Sequence, residues 1–544
     1  MLRIAPMQNP IDLIDGGIII IYFLLVLGIG LFMKHRDKNV QDYFLSGRKL
    51  GWFAIGISLF ATNISSEHII GLAGGGAARG LAVAQFELMA IFFLIILGWF
   101  IAPIYRNANV LTTPEYIGKR FNETNRKFYS GLSIFTYILT KILVTLFAGG
   151  ILLNKLFGLS IFTSSIIIIL LTGVYTLVGG FSAVIRTQMF QGILVIVGAG
   201  LVLFFGLNQV GGFQGLRDKL PLDHFQMFKS ISDPDFPWTG IVFGAPIIAF
   251  WYWCADHYIV QRILGAKSIE HARTGTMLAS FLKTLPLFIL VLPGLIAVAL
   301  YPDVRGDEAF PALVYGDLLP VGIKGIVIAG FLAAMMSSLS AAFNSIAALY
   351  TIDFYKSNHP DASERTLVLV GRMATIVTVF VVLLIVPFIK IMNSTIYIFL
   401  QSTQAFISAP ISAVFLLGFT LKKINAKSVF VSFLIGEAVG VSRFFLEFAA
   451  NAGMISNPVL LAFTKINYLH FTIFLFIGTS VLLLSLSYLF GYGSKIDSDG
   501  EVSLFTGNKM AGEKSLMKLP NVRVQAILSF AILLLTLGLW YIFI

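Results

Sequence analysis

The nonapeptide Phe60-Ala61-Thr62-Asn63-Ile64-Ser65-Ser66-Glu67-His68 stands in the middle of an apolar run, 51–78. Six of its nine side chains can hydrogen-bond. A helix of about 20 apolar residues spans the hydrocarbon core of a bilayer, and polar groups at that depth are costly unless they face a cavity or a partner. A helix interrupted here would free backbone carbonyls, and carbonyls that line a cavity can hold a cation. Gly71, Gly74, Gly75, Gly76 and Gly80 follow. Close helix packing accounts for these glycines equally well, but it leaves the polar cluster unexplained. They do not form a dinucleotide-binding turn, because no strand precedes them.

The rest of the chain has the same solvent. Of 544 residues, 57% are hydrophobic and 12% charged, about half the charged fraction of a soluble domain. A soluble enzyme, a disordered chain and a nucleic-acid binder are excluded, and the formal charge of +11 does not change this, since the basic residues sit between apolar runs. Fourteen such runs lie at about 11–33, 51–78, 81–105, 128–153, 160–179, 184–208, 238–261, 274–302, 318–350, 366–388, 391–418, 428–449, 467–492 and 524–544. They predict an all-α membrane protein with about 14 transmembrane helices. Strands of a membrane barrel would alternate over about 10 residues instead. The first run lacks the flanks of a signal peptide. With the N-terminus outside, the inner loops hold 23 basic residues and the outer segments nine, which predicts both termini outside and an even number of crossings. Loops 209–237 and 493–523 are too short for a soluble domain of ordinary size. The single cysteine, Cys254, excludes an intrachain disulfide and a Cys-based metal site. No nucleotide-binding P-loop or His-Glu-x-x-His motif is present.

Other runs carry isolated polar residues. Glu87 is the acid of the third run and Lys283 stands alone in the eighth. The seventh contains Trp251-Tyr252-Trp253-Cys254-Ala255-Asp256-His257, which leads to Gln261-Arg262 at the inner end, so its aromatics lie deeper than an interfacial belt. Met335-Met336-Ser337-Ser338-Leu339-Ser340 lies in mid-run, and Gln401 lies in the eleventh run. Membrane serines commonly bond back to the preceding turn. Taken together, an acid, a lysine, a glutamine, a histidine and several aromatics suit a neutral polyhydroxyl ligand, whose apolar face stacks on rings.

These residues resemble the solute:sodium symporter family, within it the sodium/glucose cotransporter branch. The resemblance runs from Asp42 to about Phe448 and is carried by Asp42-Tyr43-Phe44-Leu45-Ser46-Gly47-Arg48, Ala61 to His68, Phe86-Glu87, Pro114-Glu115-Tyr116, Trp251-Tyr252-Trp253-Cys254, Ile259-Val260-Gln261-Arg262, Leu282-Lys283, Leu319-Pro320-Val321-Gly322-Ile323-Lys324-Gly325, Ser337-Ser338-Leu339 and Asp353-Phe354-Tyr355-Lys356. It implies a 5+5 inverted-repeat, leucine-transporter-type core. Residues 1–50 would hold an extra helix and the first cytoplasmic loop, 51–208 the first repeat and 209–237 an extracellular loop. The second repeat would occupy 238–418, and 419–544 three further helices with a cytoplasmic loop at 493–523. It also implies Na⁺ as coupling ion, held by the carbonyls of Ala61, Ile64 and Ala334 and the hydroxyls of Ser337 and Ser338. The implied sugar contacts are Asn63, His68, Glu87, Lys283 and Gln401, with Tyr252 as inner gate and Trp253 beside it.

Three departures bear on function. Gln188 stands where most members have the aspartate of a second sodium site, and Ala341 replaces a hydroxyl there, so one Na⁺ per substrate is expected. Ala249 replaces a polar sugar-contacting residue. Arg79 sits in a short outer loop beside the glycines. The function implied is Na⁺-driven symport of a monosaccharide, with myo-inositol or another polyol as the alternative. A membrane-embedded enzyme and an uncoupled sugar sensor or channel are the competing classes. The lean inner loops suggest a bacterial inner membrane.

Overall fold

The computed structural model describes residues 11–32, 39–387, 396–491 and 521–543. The start of the first inner loop, 33–38, and nearly all of the 493–523 loop lie outside them. Within the described residues the chain is helical, with only the isolated bridges Leu50–Ala266 and Lys229–Pro237. Among the described residues, twelve helices are long and apolar enough to cross a membrane, two fewer than the apolar runs. Two local features account for the difference. Runs 160–179 and 184–208 are two helices that follow one another without a loop, forming the 50-residue helical segment Ile161–Val210. At 1.5 Å per residue it would be about 75 Å long if straight, over twice the hydrocarbon thickness. It bends at Gly180, whose φ of 55° and ψ of −159° are not helical. Run 51–78 is cut in two, and its second half continues with run 81–105 as one apolar stretch, Ser66–Asn107.

The cut falls inside the polar nonapeptide. Trp52–Asn63 ends at Ile64 (φ −78°, ψ 109°), Ser65 is extended, and Ser66–Arg79 resumes the helix. The glycines lie beyond the cut, and two of them show why they are small. A Cβ on Gly71 would come 2.8 Å from the Cβ of Tyr397, and one on Gly76 would come 2.5 Å from the Val291 carbonyl oxygen. Packing and interruption are therefore both present, side by side. A second interruption occurs in run 238–261, where the π-helical turn Trp251–Ala255 stops at Asp256 (φ −67°, ψ 119°) before His257–Leu264. The helix Ile269–Leu282 also stops at Lys283, three residues before Pro286, which has no N–H to continue the ladder.

The serine-bearing helix Ile323–Leu349 packs along Ile161–Val210, and the first helix, Leu13–Phe32, packs against both. Contact is close because Gly198 and Gly330 face each other. Asp15 of the first helix accepts the N–H groups of Gly322 (2.8 Å) and Gly325 (2.7 Å), capping the serine helix. The last helix, Val522–Ile542, is followed by Phe543, whose carbonyl accepts the Met227 N–H at 2.9 Å. Arg79, without a role in the sequence, pairs with Asp235 and ties loop 209–237 to the first broken helix.

The Gly180 bend gives a test. A side chain at that φ and ψ costs about 1–3 kcal/mol. Gly180→Val should lower the apparent melting temperature of the purified protein, with Gly200→Val, whose added Cβ meets no atom within 4 Å, as the tolerated control.

Candidate functional site

The interruption at Ile64–Ser65 leaves carbonyls of the first half-helix without intrahelical partners. Other helices supply them. Ser337 Oγ donates to Ala61 O at 2.7 Å and to Ala334 O at 2.9 Å. Ser338 Oγ donates to Thr62 O at 3.1 Å, and the Tyr258 hydroxyl reaches the same carbonyl at 2.9 Å. Ser340 instead bonds back to Ser337 O. Ala61, Ala334 and Ser337 are thus in direct contact, Ser338 is one residue away, and Ile64 forms the break itself. All are buried. The set is chemically suited to a monovalent cation, since it offers neutral oxygens in place of a hydration shell. Gln188 lies behind it and donates its amide to Ser337 O at 3.0 Å.

Immediately beside the break is a cavity of about 440 Å³, its open mouth included, lined among others by Asn63, His68, Glu87, Tyr252, Trp253, Lys283 and Gln401. All seven expected solute-contacting residues therefore line one cavity, although they come from five separate segments. Lys283 Nζ donates to Asn63 Oδ1 at 2.5 Å and forms an ion pair with Glu87. Asn63 Nδ2 donates to the Tyr252 hydroxyl at 3.0 Å. His68 Nδ1 lies 3.1 Å from Ser65 Oγ, and its Nε2 lies 3.9 Å from Glu87. The lysine and glutamate neutralise each other, so the cavity presents many hydrogen-bonding groups and little net charge. Lys283 also sits 5.6 Å from the Trp253 ring centre. The ring of Phe86 stands edge-on to Tyr397 and to Phe236 of loop 209–237. Ala249 lines the wall.

Sequence reasoning missed Tyr397 and Gln404 as lining residues. The signal was present: Tyr397, Leu400, Gln401 and Gln404 are spaced i, i+3, i+4, i+7 and share a helix face. It also passed over Lys141, a buried lysine in run 128–153 whose ammonium lies 3.9 Å from the Tyr252 ring centre. The rule that singled out Lys283 applies to it equally.

A polar, nearly neutral chamber buried within a helical membrane body, beside freed backbone oxygens, defines a membrane transporter. The sodium:solute symporter family profile matches residues 43–436, and the chain belongs to that family. It is 36% identical to mouse sodium/glucose cotransporter 1 over 521 residues, covering 87% of this chain and 78% of the relative. It is 36% identical to sodium/glucose cotransporter 4 of Danio rerio over 526 residues (89% and 80%), and 34% identical to mouse sodium/myo-inositol cotransporter 2 over 548 residues (93% and 81%). The fold is shared with a Na⁺-coupled sialic acid symporter solved in a substrate-bound outward-open state (TM-score 0.76, 21% identity, 88% of this chain and 99% of that one). Mhp1, a nucleobase-cation-symport-1 family transporter, is similar at a TM-score of 0.52 (14% identity, 82% and 96%). The protein is a multi-pass, sodium-coupled solute symporter and not an enzyme.

The buried pair yields a double-mutant test. Removing one member strands a charge, at about 3–5 kcal/mol. Lys283→Met alone should therefore destabilise the protein in denaturant or thermal unfolding, and Lys283→Met with Glu87→Gln should recover at least half of the loss. Strictly additive effects would mean that the two side chains are not coupled.

Proposed function

We propose that this protein couples inward movement of one Na⁺ to uptake of a neutral monosaccharide, glucose- or galactose-like, by alternating access. The observation that carries it is the convergence of Asn63, His68, Glu87, Tyr252, Trp253, Lys283 and Gln401 on one cavity beside the Ile64–Ser65 break. Hydroxyl groups of a sugar can exchange hydrogen bonds with Asn63, Glu87, Lys283, His68 and Gln401 without introducing charge. The Tyr252 and Trp253 rings offer apolar faces to the ring carbons. A carboxylated solute would meet Glu87, and among the described residues no arginine lines the cavity.

Na⁺ is assigned to the carbonyls of Ala61, Ile64 and Ala334 and the hydroxyls of Ser337 and Ser338. Each hydroxyl can rotate its proton, so each can turn its O–H away from its present acceptor and present a lone pair to the ion. A second Na⁺ is not assigned. The Gln188 amide already donates to the Ser337 carbonyl, and it brings no charge where a second ion would need one. Sodium binding stabilises the broken helix in the outward-open form. The solute then closes the aromatics Phe86, Tyr397 and Phe236 above it, and rocking of the halves releases both ligands inward as Tyr252 moves aside. One charge crossing 100 mV contributes about 2.3 kcal/mol to this cycle.

The architecture assigned is fourteen crossings with both termini outside, and inverted repeats at 51–208 and 238–418. Residues 1–50 precede the first repeat, the 209–237 outer loop separates the two, and residues 419–544 follow. The corresponding interruptions at Ile64–Ser65 and Asp256, each in the first run of its half, support the repeat. Sodium/myo-inositol symport is the second reading, favoured by a myo-inositol cotransporter of nearly the same identity and by Ala249, which leaves one wall of the cavity apolar.

Proteoliposomes with an imposed Na⁺ gradient should accumulate labelled glucose, galactose or myo-inositol, and equal uptake without Na⁺ would rule the mechanism out. Ser338→Ala should raise the half-saturating Na⁺ concentration about fivefold, the worth of one hydrogen bond. Glu87→Ala and Gln401→Ala should mainly weaken solute affinity, by about tenfold or more for the charged group. The measured ratio of charge to solute should be one; a ratio of two would refute the single-ion assignment.

A further inference from the structure

Behind the cavity floor lies a second buried charge cluster that the transport scheme above does not use. Tyr137, Lys141 and Thr145 follow one another at i, i+4 and i+8 along the 123–157 helical segment. Each reaches one of the two helix interruptions. Thr145 Oγ1 donates to Glu67 Oε2 at 2.7 Å, and Ser66 Oγ donates to Thr145 O at 2.6 Å, which anchors the first break. The Tyr137 hydroxyl donates to Asp256 Oδ1, which also accepts the Tyr258 N–H at 3.1 Å, and this anchors the second break. Lys141 lies between them, 3% exposed. Its ammonium is 4.0 Å from Asp256 Oδ2, an oxygen with no hydrogen-bond partner among the described residues. The same ammonium lies 3.9 Å from the ring centre of Tyr252 and 4.9 Å from that of Tyr258.

These two rings are the ones suspended from the first break. The Tyr252 hydroxyl accepts from Asn63, and the Tyr258 hydroxyl donates to Thr62 O and lies 3.4 Å from Ser338 O. One cation therefore touches both the aromatic floor of the solute cavity and the tyrosine that closes the assigned sodium site. We propose that Lys141 is a positioning residue that makes opening of the cavity floor depend on sodium. The inference rests on the symport reading and the Tyr252 assignment given above.

The physical basis is a choice between two partners. A desolvated ammonium over a tyrosine face is held strongly. When Tyr252 swings away to release solute, the ammonium loses that face and must close on the waiting Asp256 Oδ2. This exchange gives the floor two discrete arrangements rather than a continuum. In the closed one, Lys141 keeps Tyr252 against Asn63 and Tyr258 against Thr62 and Ser338, the geometry in which the freed carbonyls face Ser337. Without the charge at residue 141, the floor can open whether or not an ion is bound.

The test uses the full-length protein in proteoliposomes, with radiosodium binding and uptake of labelled glucose and myo-inositol as readouts. Lys141→Met should raise half-saturating Na⁺ about tenfold, as expected for loss of a desolvated cation–π contact, and should allow solute entry without Na⁺. Lys141→Arg keeps the charge and should stay within about threefold of wild type. If Lys141→Met fails to fold because Asp256 is stranded, Lys141→Met with Asp256→Asn removes both charges and should show the same sodium-free entry. Unchanged Na⁺ dependence in whichever of these two variants folds overturns the proposal while leaving symport intact. A wild-type protein that neither binds radiosodium nor needs it for uptake sinks the symport reading, and this inference falls with it.

Discussion

A backbone carbonyl in hydrocarbon must find a donor or a cation, because leaving it bare costs several kcal/mol. That constraint organises the centre of this molecule. Where the chain leaves the helix at Ile64, the carbonyls of Ala61 and Thr62 are committed to groups from distant helices: Ser337, Ser338 and Tyr258. The partners are hydroxyls and not amides or ammonium groups. A hydroxyl both donates and accepts, so it satisfies the carbonyl in the absence of an ion and can share the ion when one arrives. A fixed donor such as lysine would close the site to cations permanently.

The adjoining cavity obeys the same economy of charge. Lys283 and Glu87 lie at membrane depth, where either alone would be prohibitive, and they pair with each other and with Asn63. The result is a wall rich in donors and acceptors that carries almost no net field. For the solute proposed above, such a wall would discriminate by the pattern of hydroxyls offered to it, since each buried polar group left unpaired costs about 1–3 kcal/mol. It also separates the roles of the two ligands. The ion brings the charge and the electrical driving force, while the solute brings hydrogen bonds and an apolar face. The chain from Thr62 and Asn63 to Tyr258 and Tyr252 connects them over a few residues.

Much of this was legible in the residues. Long apolar runs and polar residues inside them located the helices, the Ile64–Ser65 interruption to within its nonapeptide, and the residues that line the cavity. What escaped has identifiable physical causes. Runs 160–179 and 184–208 are two helices that meet at a kink at Gly180, and composition marked their boundary without showing that no loop separates them. Arg79 had no visible partner because Asp235 is 156 residues away in an outer loop. The break at Asp256 is not legible in the aromatic run, since a single aspartate serves equally as a helix cap or as a buried ion partner. Lys141 was masked by its setting in an otherwise ordinary apolar helix.

The placement of Asp256 deserves weight for another reason. The first broken helix ends in neutral carbonyls held by hydroxyl groups and proposed above to bind Na⁺, whereas the second is stopped by a carboxylate already held by Tyr137, the Tyr258 N–H and, at 4.0 Å, Lys141. The two interruptions thus have opposite chemistry. One is labile, because its ligands can be shared with a mobile cation. The other is pinned, because its acceptor is a carboxylate of the chain itself, already bound to fixed donors. The rocking cycle proposed above needs such an asymmetry. If both breaks depended on exchangeable ions, nothing would hold the helices in register between cycles, and if both were pinned, an arriving ion would have no backbone left to reorganise.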